Sequence, residues 1–443
     1  MTPDLSTGFT QQGCTILIVL VPLALAGMAL TNTGFGRARS AAHAMLTSMV
    51  AIATAAIVYC VCGFSWEGFV GRPVRIFVLG GKPWDWLARE PFFLHGLETS
   101  GSPADLAILL QVFAVGLAAL IPISAGADRW RLRASCISTA LLAGFTYPVF
   151  AHWVWGGGWL SQLGSNYGLG HGFLDAGGAS TIQVVGGLTA LAVAWILGPR
   201  RGRYVADGMP AAIPGHNIVY VLLGCALMLP GWIGLNCTGA ILFSGAVPGQ
   251  IALIAVNTLL SASTALVAAV IVTRVRFGKP DASLCANGWV GGLVASSAVC
   301  LFVTPIMAII VGLIAGVLVT VAVELLEVRL AIDDPGGAIS VHAVAGLWGL
   351  LVVGIVAQIP AAASGVLRSG GPGNSGQLLA QLVSIATLLG FVLPMTYGLN
   401  WLLDRISPQR VEQEGERIGM DLHQLGAGAY PEFVIHTNEF SQR

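Results

Sequence analysis

The chain has 443 residues, 55% hydrophobic and only 9% charged, with a mean hydropathy of +0.80. That composition cannot keep a soluble surface wet. A formal net charge of zero leaves no basic footprint for nucleic acid.

Eleven apolar runs are long enough to cross a bilayer, at residues 12–32, 41–63, 103–125, 135–155, 177–198, 216–238, 247–272, 284–302, 304–327, 339–359 and 376–403. Span 1 follows Met1–Gln11, which has no positive charge and leads to no small-residue cleavage site, so no signal peptide is expected. Cys60 and Cys62 in span 2 diverge on a helix, and the eight cysteines as a group lack metal-ligand spacing, which marks them as apolar filler. Span 4 ends in an aromatic cluster, Tyr147 to Trp159, and span 5 opens at Asp175-Ala-Gly-Gly. Spans 8 and 9 are divided at Phe302-Val-Thr-Pro305, because 284–327 is too long for one crossing. Span 10 opens at Asp334-Pro-Gly-Gly, and span 11 is long enough to cross at a tilt. Pro22, Pro148, Pro230 and Pro394 should kink spans, while Gly186-Gly187, Gly291-Gly292 and Gly312-x-x-x-Gly316 should let backbones approach.

Charge sets the orientation. One set of loops, with the tail, holds 16 of the 21 Lys and Arg; the alternate loops hold Arg72, Arg75, Lys82, Arg89 and Arg368. The positive-inside rule puts the basic side in the cytoplasm. The N-terminus is then outside and the C-terminus cytoplasmic, as an odd number of spans requires. The expected class is therefore an all-α integral membrane protein of the cell membrane, inner or plasma, with eleven transmembrane helices. Residues 1–403 form the membrane domain and 404–443 a cytoplasmic tail. Repeat 1, about 12–198, and repeat 2, about 216–359, each hold five spans, so they are inverted relative to one another; helix 11, about 376–403, stands alone.

Two stretches 159 positions apart repeat each other: Asp175-Ala-Gly-Gly with Gln183 eight residues on, and Asp334-Pro-Gly-Gly with His342 eight residues on. Eight residues of helix rise about 12 Å, most of the way to the centre of a ~30 Å hydrocarbon layer. Polar groups at that depth are costly and usually face the protein interior. Gln183 and His342 approach the midplane from opposite sides, as in an inverted-repeat transporter. They read either as interhelical hydrogen-bonding partners or as polar stations in a pore. Asp175 and Asp334 read as helix caps, and a carboxylate below the outer mouth also favours a cation nearby. Trp153 and Trp159 suit an interfacial belt, whereas Trp155 precedes three glycines and offers its face to a small cation.

The run Tyr147-Pro-x-x-Ala-His-Trp-Val-Trp155-Gly-Gly-Gly-Trp-Leu resembles a signature of the ammonium transporter (Amt/Mep/Rh) family. The resemblance continues through Asp175-Ala-Gly-Gly, Pro214-Gly-His-Asn217, Gly231-Trp-Ile-Gly-Leu-Asn236, Asn287-Gly-Trp-Val-Gly-Gly-Leu293, Asp333-Asp-Pro-x5-Val-His342 and the tail run from Gly419 to Phe433. It implies a homotrimer in the lipid bilayer with one ammonium/ammonia pore per subunit, no cofactor or metal, no enzymatic activity, and a PII-type signalling partner at the tail. Trp155 matches the recruiting Trp, Phe113 the outer gate Phe, Asp175 the structural Asp and His342 the second pore His. Three positions depart: Gln183 replaces the first pore His, Leu235 the inner gate Phe, and Gly239 the vestibule Ser, with Thr238 adjacent as a source of a hydroxyl. Each change weakens the handling of a charged ion relative to neutral ammonia. The readings that follow are an ammonium transporter or channel with an altered pore, an ammonium receptor of the same fold that signals through its tail, and a channel for another small neutral solute such as CO2 or methylamine.

Overall fold

A computed structural model describes residues 8–97, 102–204, 210–356 and 376–430. Arg368, Arg443 and the tail beyond Tyr430 lie outside the described residues, as does the end of the tenth predicted span.

Within hydrocarbon every backbone N–H and C=O must pair inside its own segment, so apolar runs of this length become helices. Eleven such helices are present among the described residues: α1 (Gln11–Phe35), α2 (Ala38–Glu67), α3 (Pro103–Ala125), α4 (Leu132–Val154), α5 (Ala179–Leu197), α6 (Ile218–Ser244), α7 (Pro248–Phe277), α8 (Ala282–Val299), α9 (Pro305–Arg329), α10 (Ile339–Val356) and α11 (Gln377–Ile406). The break expected near Phe302 falls between Val299 and Pro305. Thr304 fixes the restart, its hydroxyl accepting from Met307 N at 3.4 Å. Local chemistry sets other starts as well. Ser102 and Asp105 form a reciprocal capping box on α3, and Asn217 and Asp281 cap α6 and α8.

Lipid offers no hydrophobic drive for helix association, so helices pack through small residues. A Cβ at Gly312 or Gly316 of α9 would lie 2.2 Å from the Ser261 or Ala265 carbonyl of α7, and one at Gly292 of α8 2.4 Å from the Ser261 carbonyl. These glycines bring α7, α8 and α9 into backbone contact, as their sequence spacing implied.

One extramembrane element was not foreseen. Between α2 and α3, β1 (Val74–Leu79) and β2 (Lys82–Ala88) pair antiparallel across Gly80-Gly81, both at positive φ. Trp84 of this hairpin stacks on Trp159 at 5.0 Å, and Asp85 meets His152 at 2.9 Å, which anchors the hairpin to the C-terminal end of α4.

The opposite face is tied by buried ion pairs. Arg200 donates to both oxygens of Asp333 at 2.9 and 3.0 Å and reaches Asp128 at 3.2 Å; Arg37 reaches Asp128 at 3.1 Å. Burial alone would raise the Asp333 carboxyl, but the Arg200 hydrogen bonds and the charges of Arg129 and Arg200 outweigh it and hold the group at about 2. The tail joins this cluster. Glu416 pairs with Arg410 at 2.9 Å, and Asp421 accepts from the backbone N–H of Ala42 and His43 at the start of α2 at 3.2 and 2.8 Å.

Candidate functional site

Both half-sites begin the same way. The second glycine of each Asp-x-Gly-Gly, Gly178 and Gly337, has φ of +93° and +71°, a conformation that costs other residues a steric penalty. Each then enters a π-helical turn, Ala179–Val184 and Ile339–Val344, and these turns carry Gln183 and His342. Gly187 and Gly346 lie four residues beyond the polar side chains, on the same helix face. A Cβ at Gly187 would sit 2.5 Å from Ala343 N, and one at Gly346 2.6 Å from Val184 Cγ2. The bare faces let α5 and α10 cross closely enough to bring the two polar groups together.

They meet. His342 Nδ1 and Gln183 Oε1 are 2.7 Å apart, with both residues buried. With the amide oxygen facing it, the imidazole carries its proton on Nδ1 and leaves Nε2 as an acceptor. Gln183 Nε2 has no hydrogen-bond partner among the described residues.

The two aspartates diverge despite their matching places. Asp175 accepts from the backbone N–H of Gly178, Ala179 and Ser180 at 2.9, 2.8 and 2.6 Å and from the Ser180 hydroxyl at 2.6 Å. Burial still raises its carboxyl above the usual range, against the pull of those donors. Asp334 accepts from Ile339 N at 2.7 Å, and its other oxygen has no partner among the described residues. Burial pushes this carboxyl up to about 7.

A cavity of about 470 Å³ on the hairpin side is lined by Trp155, Asp175, Ser161, His171, Phe243 and Ser244, among others. Trp155 donates its indole N–H to the Asp175 carbonyl at 2.9 Å. Its ring lies parallel to Phe243, centroids 4.5 Å apart at 9°, so one indole face is covered. A separate small cavity is lined by His342 with Thr31, Asn32 and Ser124.

The remaining expected residues fall elsewhere. Phe113 is half-buried, packs against the core and lines neither of these two cavities. It sits two residues from the inward-facing Gln111, on the opposite face of α3. Thr238 donates its hydroxyl to the Gly234 carbonyl at 2.7 Å and does not line this cavity. Gly239 lies under the Asp175 loop, where a Cβ would be 2.7 Å from Ala176 O. Leu235 is fully buried and lines neither cavity.

Sequence reasoning missed two features. Phe243 supplies the aromatic partner of Trp155; its place four residues after Gly239, on the same helix face, was the available signal. A buried carboxylate, Glu67 at the end of α2, accepts from the Tyr59 hydroxyl at 2.8 Å and from Gln111 Nε2, and Gln111 in turn accepts from Tyr147. A lone acid closing an apolar run was its only mark. Among the described residues no cluster of His, Cys, Asp and Glu could hold a metal ion.

Known proteins resemble this chain over nearly its whole length. The Ammonium Transporter Family model matches residues 14–430. Ammonium transporter Amt2 of Archaeoglobus fulgidus is 34% identical over 95% of this chain and 88% of its own length. The ammonium transporter of Bacillus subtilis is 30% identical over 95% of this chain and 99% of its own. Among solved structures, one described as a Sensor Amt Protein superposes with a TM-score of 0.82 at 27% identity, over 94% of this chain and 97% of that one. Candida albicans Mep2 shares the fold with a TM-score of 0.78 at 24% identity, over 97% and 92% of the two chains. A multi-pass membrane protein with these matches over nearly its whole length belongs to the ammonium transporter family.

Proposed function

We propose that this protein passes ammonium or ammonia across the cell membrane through a pore whose outer mouth is the Trp155 cavity and whose midplane is the Gln183–His342 pair. The 2.7 Å contact between those two side chains carries the reading, because it joins the two repeats at the depth where a polar station belongs. Trp155 offers one indole face, backed by Phe243, for cation–π attraction, and the Asp175 carboxylate fixes the loop beside it. Gln183 orients His342 without titrating, so the midplane favours a neutral solute. Repeats 12–198 and 216–359 form the two halves, and α11 packs across them. The assembly is a homotrimer, with the N-terminus outside and the tail in the cytoplasm, where it meets a PII-type partner. A pull-down in which deletion of 404–443 leaves PII binding unaltered removes that partner.

The test is the current from reconstituted protein after an ammonium jump. A second reading, an ammonium receptor, is favoured by the docked tail and by the likeness to a Sensor Amt Protein. Ammonium binding without current selects it.

A further inference from the structure

Two small cavities on the inner side of the midplane meet at one side chain. The first, about 20 Å³, is lined by His342, Thr31, Ser124 and Asn32; the second, also about 20 Å³, by Asn32, Ser40, His43, Thr47 and Asp128. Asn32 walls both. Each volume exceeds the ~10–15 Å³ that a single water needs and leaves little room for a second.

The walls carry polar atoms without partners. Ser124 Oγ, Thr47 Oγ1 and His43 Nε2 lack any hydrogen-bond partner among the described residues, although their residues are only 5%, 4% and 6% exposed. Buried polar atoms are hydrogen-bonded to protein or to ordered water, and here the protein offers nothing.

We propose that each cavity holds one ordered water, and that the pair, joined at Asn32, links the midplane His342 to His43 at the cytoplasmic start of α2. Asn32 commits its Nδ2 to the Leu120 carbonyl at 3.0 Å, which leaves Oδ1, with two lone pairs, to accept from both waters. The first water accepts from the Ser124 hydroxyl and donates to Asn32 Oδ1 and to His342 Nε2, the ring nitrogen that the Gln183 contact leaves free. The second accepts from the Thr47 hydroxyl and donates to Asn32 Oδ1 and His43 Nε2. Each makes three hydrogen bonds, the usual number for a buried water. The backbone N–H of His43 donates to Asp421 of the tail at 2.8 Å, so the link ends where the tail docks. A change in hydrogen bonding at His342 therefore reaches the tail anchor through two waters and one amide. This rests on the reading of His342 as the midplane station.

The test uses full-length protein and measures no flux, so it stands or falls separately from the transport reading. A high-resolution crystal structure should show one water peak in each cavity, and Asn32→Leu should lack both. The imidazole 15N resonances of His43 should shift on His342→Gln, and the shift should vanish in an Asn32→Leu background. Should Asn32→Leu fail to fold, Thr47→Val weakens only the second water and should diminish the His43 response while the first peak remains. Dry cavities in the wild type, or a His43 signal indifferent to His342→Gln, overturn the proposal.

Discussion

Gln183→His probes the midplane directly. In the wild type one hydrogen bond joins Gln183 Oε1 to His342 Nδ1 at 2.7 Å, and Gln183 Nε2 is left unpaired. A buried amide N–H without a partner costs about 1–3 kcal/mol. A neutral imidazole has one N–H donor fewer than an amide and nearly the same bulk, so the exchange should change stability by less than ~1.5 kcal/mol. Its effect on function should be larger. Two facing imidazoles can share a proton through a charge-assisted hydrogen bond, worth ~1.5–3 kcal/mol against ~0.5–1.5 kcal/mol for the neutral bond. A difference of about 1.4 kcal/mol corresponds to a factor of ten in protonated population. On the proposed reading, the ammonium-jump current on a solid-supported membrane, normalised to protein, should rise about tenfold. A wild-type protein that already carries a large current, unaltered by Gln183→His, refutes this reasoning. If neither form conducts and both bind ammonium, the receptor reading prevails.

Other perturbations test the surrounding framework. Trp155→Phe keeps the stack on Phe243 but loses the indole face and the bond to the Asp175 carbonyl; a cation–π loss of about 0.5–1 kcal/mol should weaken ammonium binding by a small multiple in calorimetry, and unchanged affinity sinks the recruitment role. Asp333→Ala strands Arg200 and Arg129 in a buried site and should cost about 3–5 kcal/mol, read as a lower unfolding midpoint in detergent; a loss under 1 kcal/mol contradicts the buried-cluster account. Asp334 binds its proton more tightly folded, near 7, than unfolded, near the usual ~3.9. Its contribution to stability is therefore fully present below ~4 and is lost as pH rises through about 7, so Asp334→Asn should flatten the pH dependence of Tm over that window. Asp421→Ala removes the acceptor for Ala42 and His43 N–H, and hydrogen exchange at the start of α2 and in the tail should quicken together; protection that persists in both argues against tail docking.

Much of this was legible because membrane proteins obey few rules strictly. Backbone pairing in hydrocarbon forces an apolar run to become a helix, so counting runs locates the spans, and the break at Phe302 to Pro305 followed from length alone. The Gln183–His342 meeting was legible because both residues sit eight positions inside repeated motifs. The β1–β2 hairpin was not, because its strands lie in a loop and a hydropathy reading is blind to the Gly80-Gly81 turn between two short apolar runs. The unequal pairing of Asp175 and Asp334 depends on which backbone N–H groups a loop turns inward, and identical Asp-x-Gly-Gly strings carry no trace of it.

The departures from the family pattern form a consistent set on the proposed reading. A cation at the outer cavity has one indole face, because Phe243 covers the other, and it finds no hydroxyl at Gly239. At the midplane it meets an amide oxygen already committed to His342, beside an amide N–H that repels it. These features raise the cost of positive charge, whereas a neutral molecule that donates and accepts hydrogen bonds meets a partner in the Nε2 of His342, once it displaces the water there, and another in the unpaired amide of Gln183. Ammonia fits that pattern and ammonium does not. A proton left behind has no second imidazole across the midplane to receive it, so on this reading the rate at which the pore carries charge should be set by that missing proton transfer at the midplane, the step that Gln183→His restores.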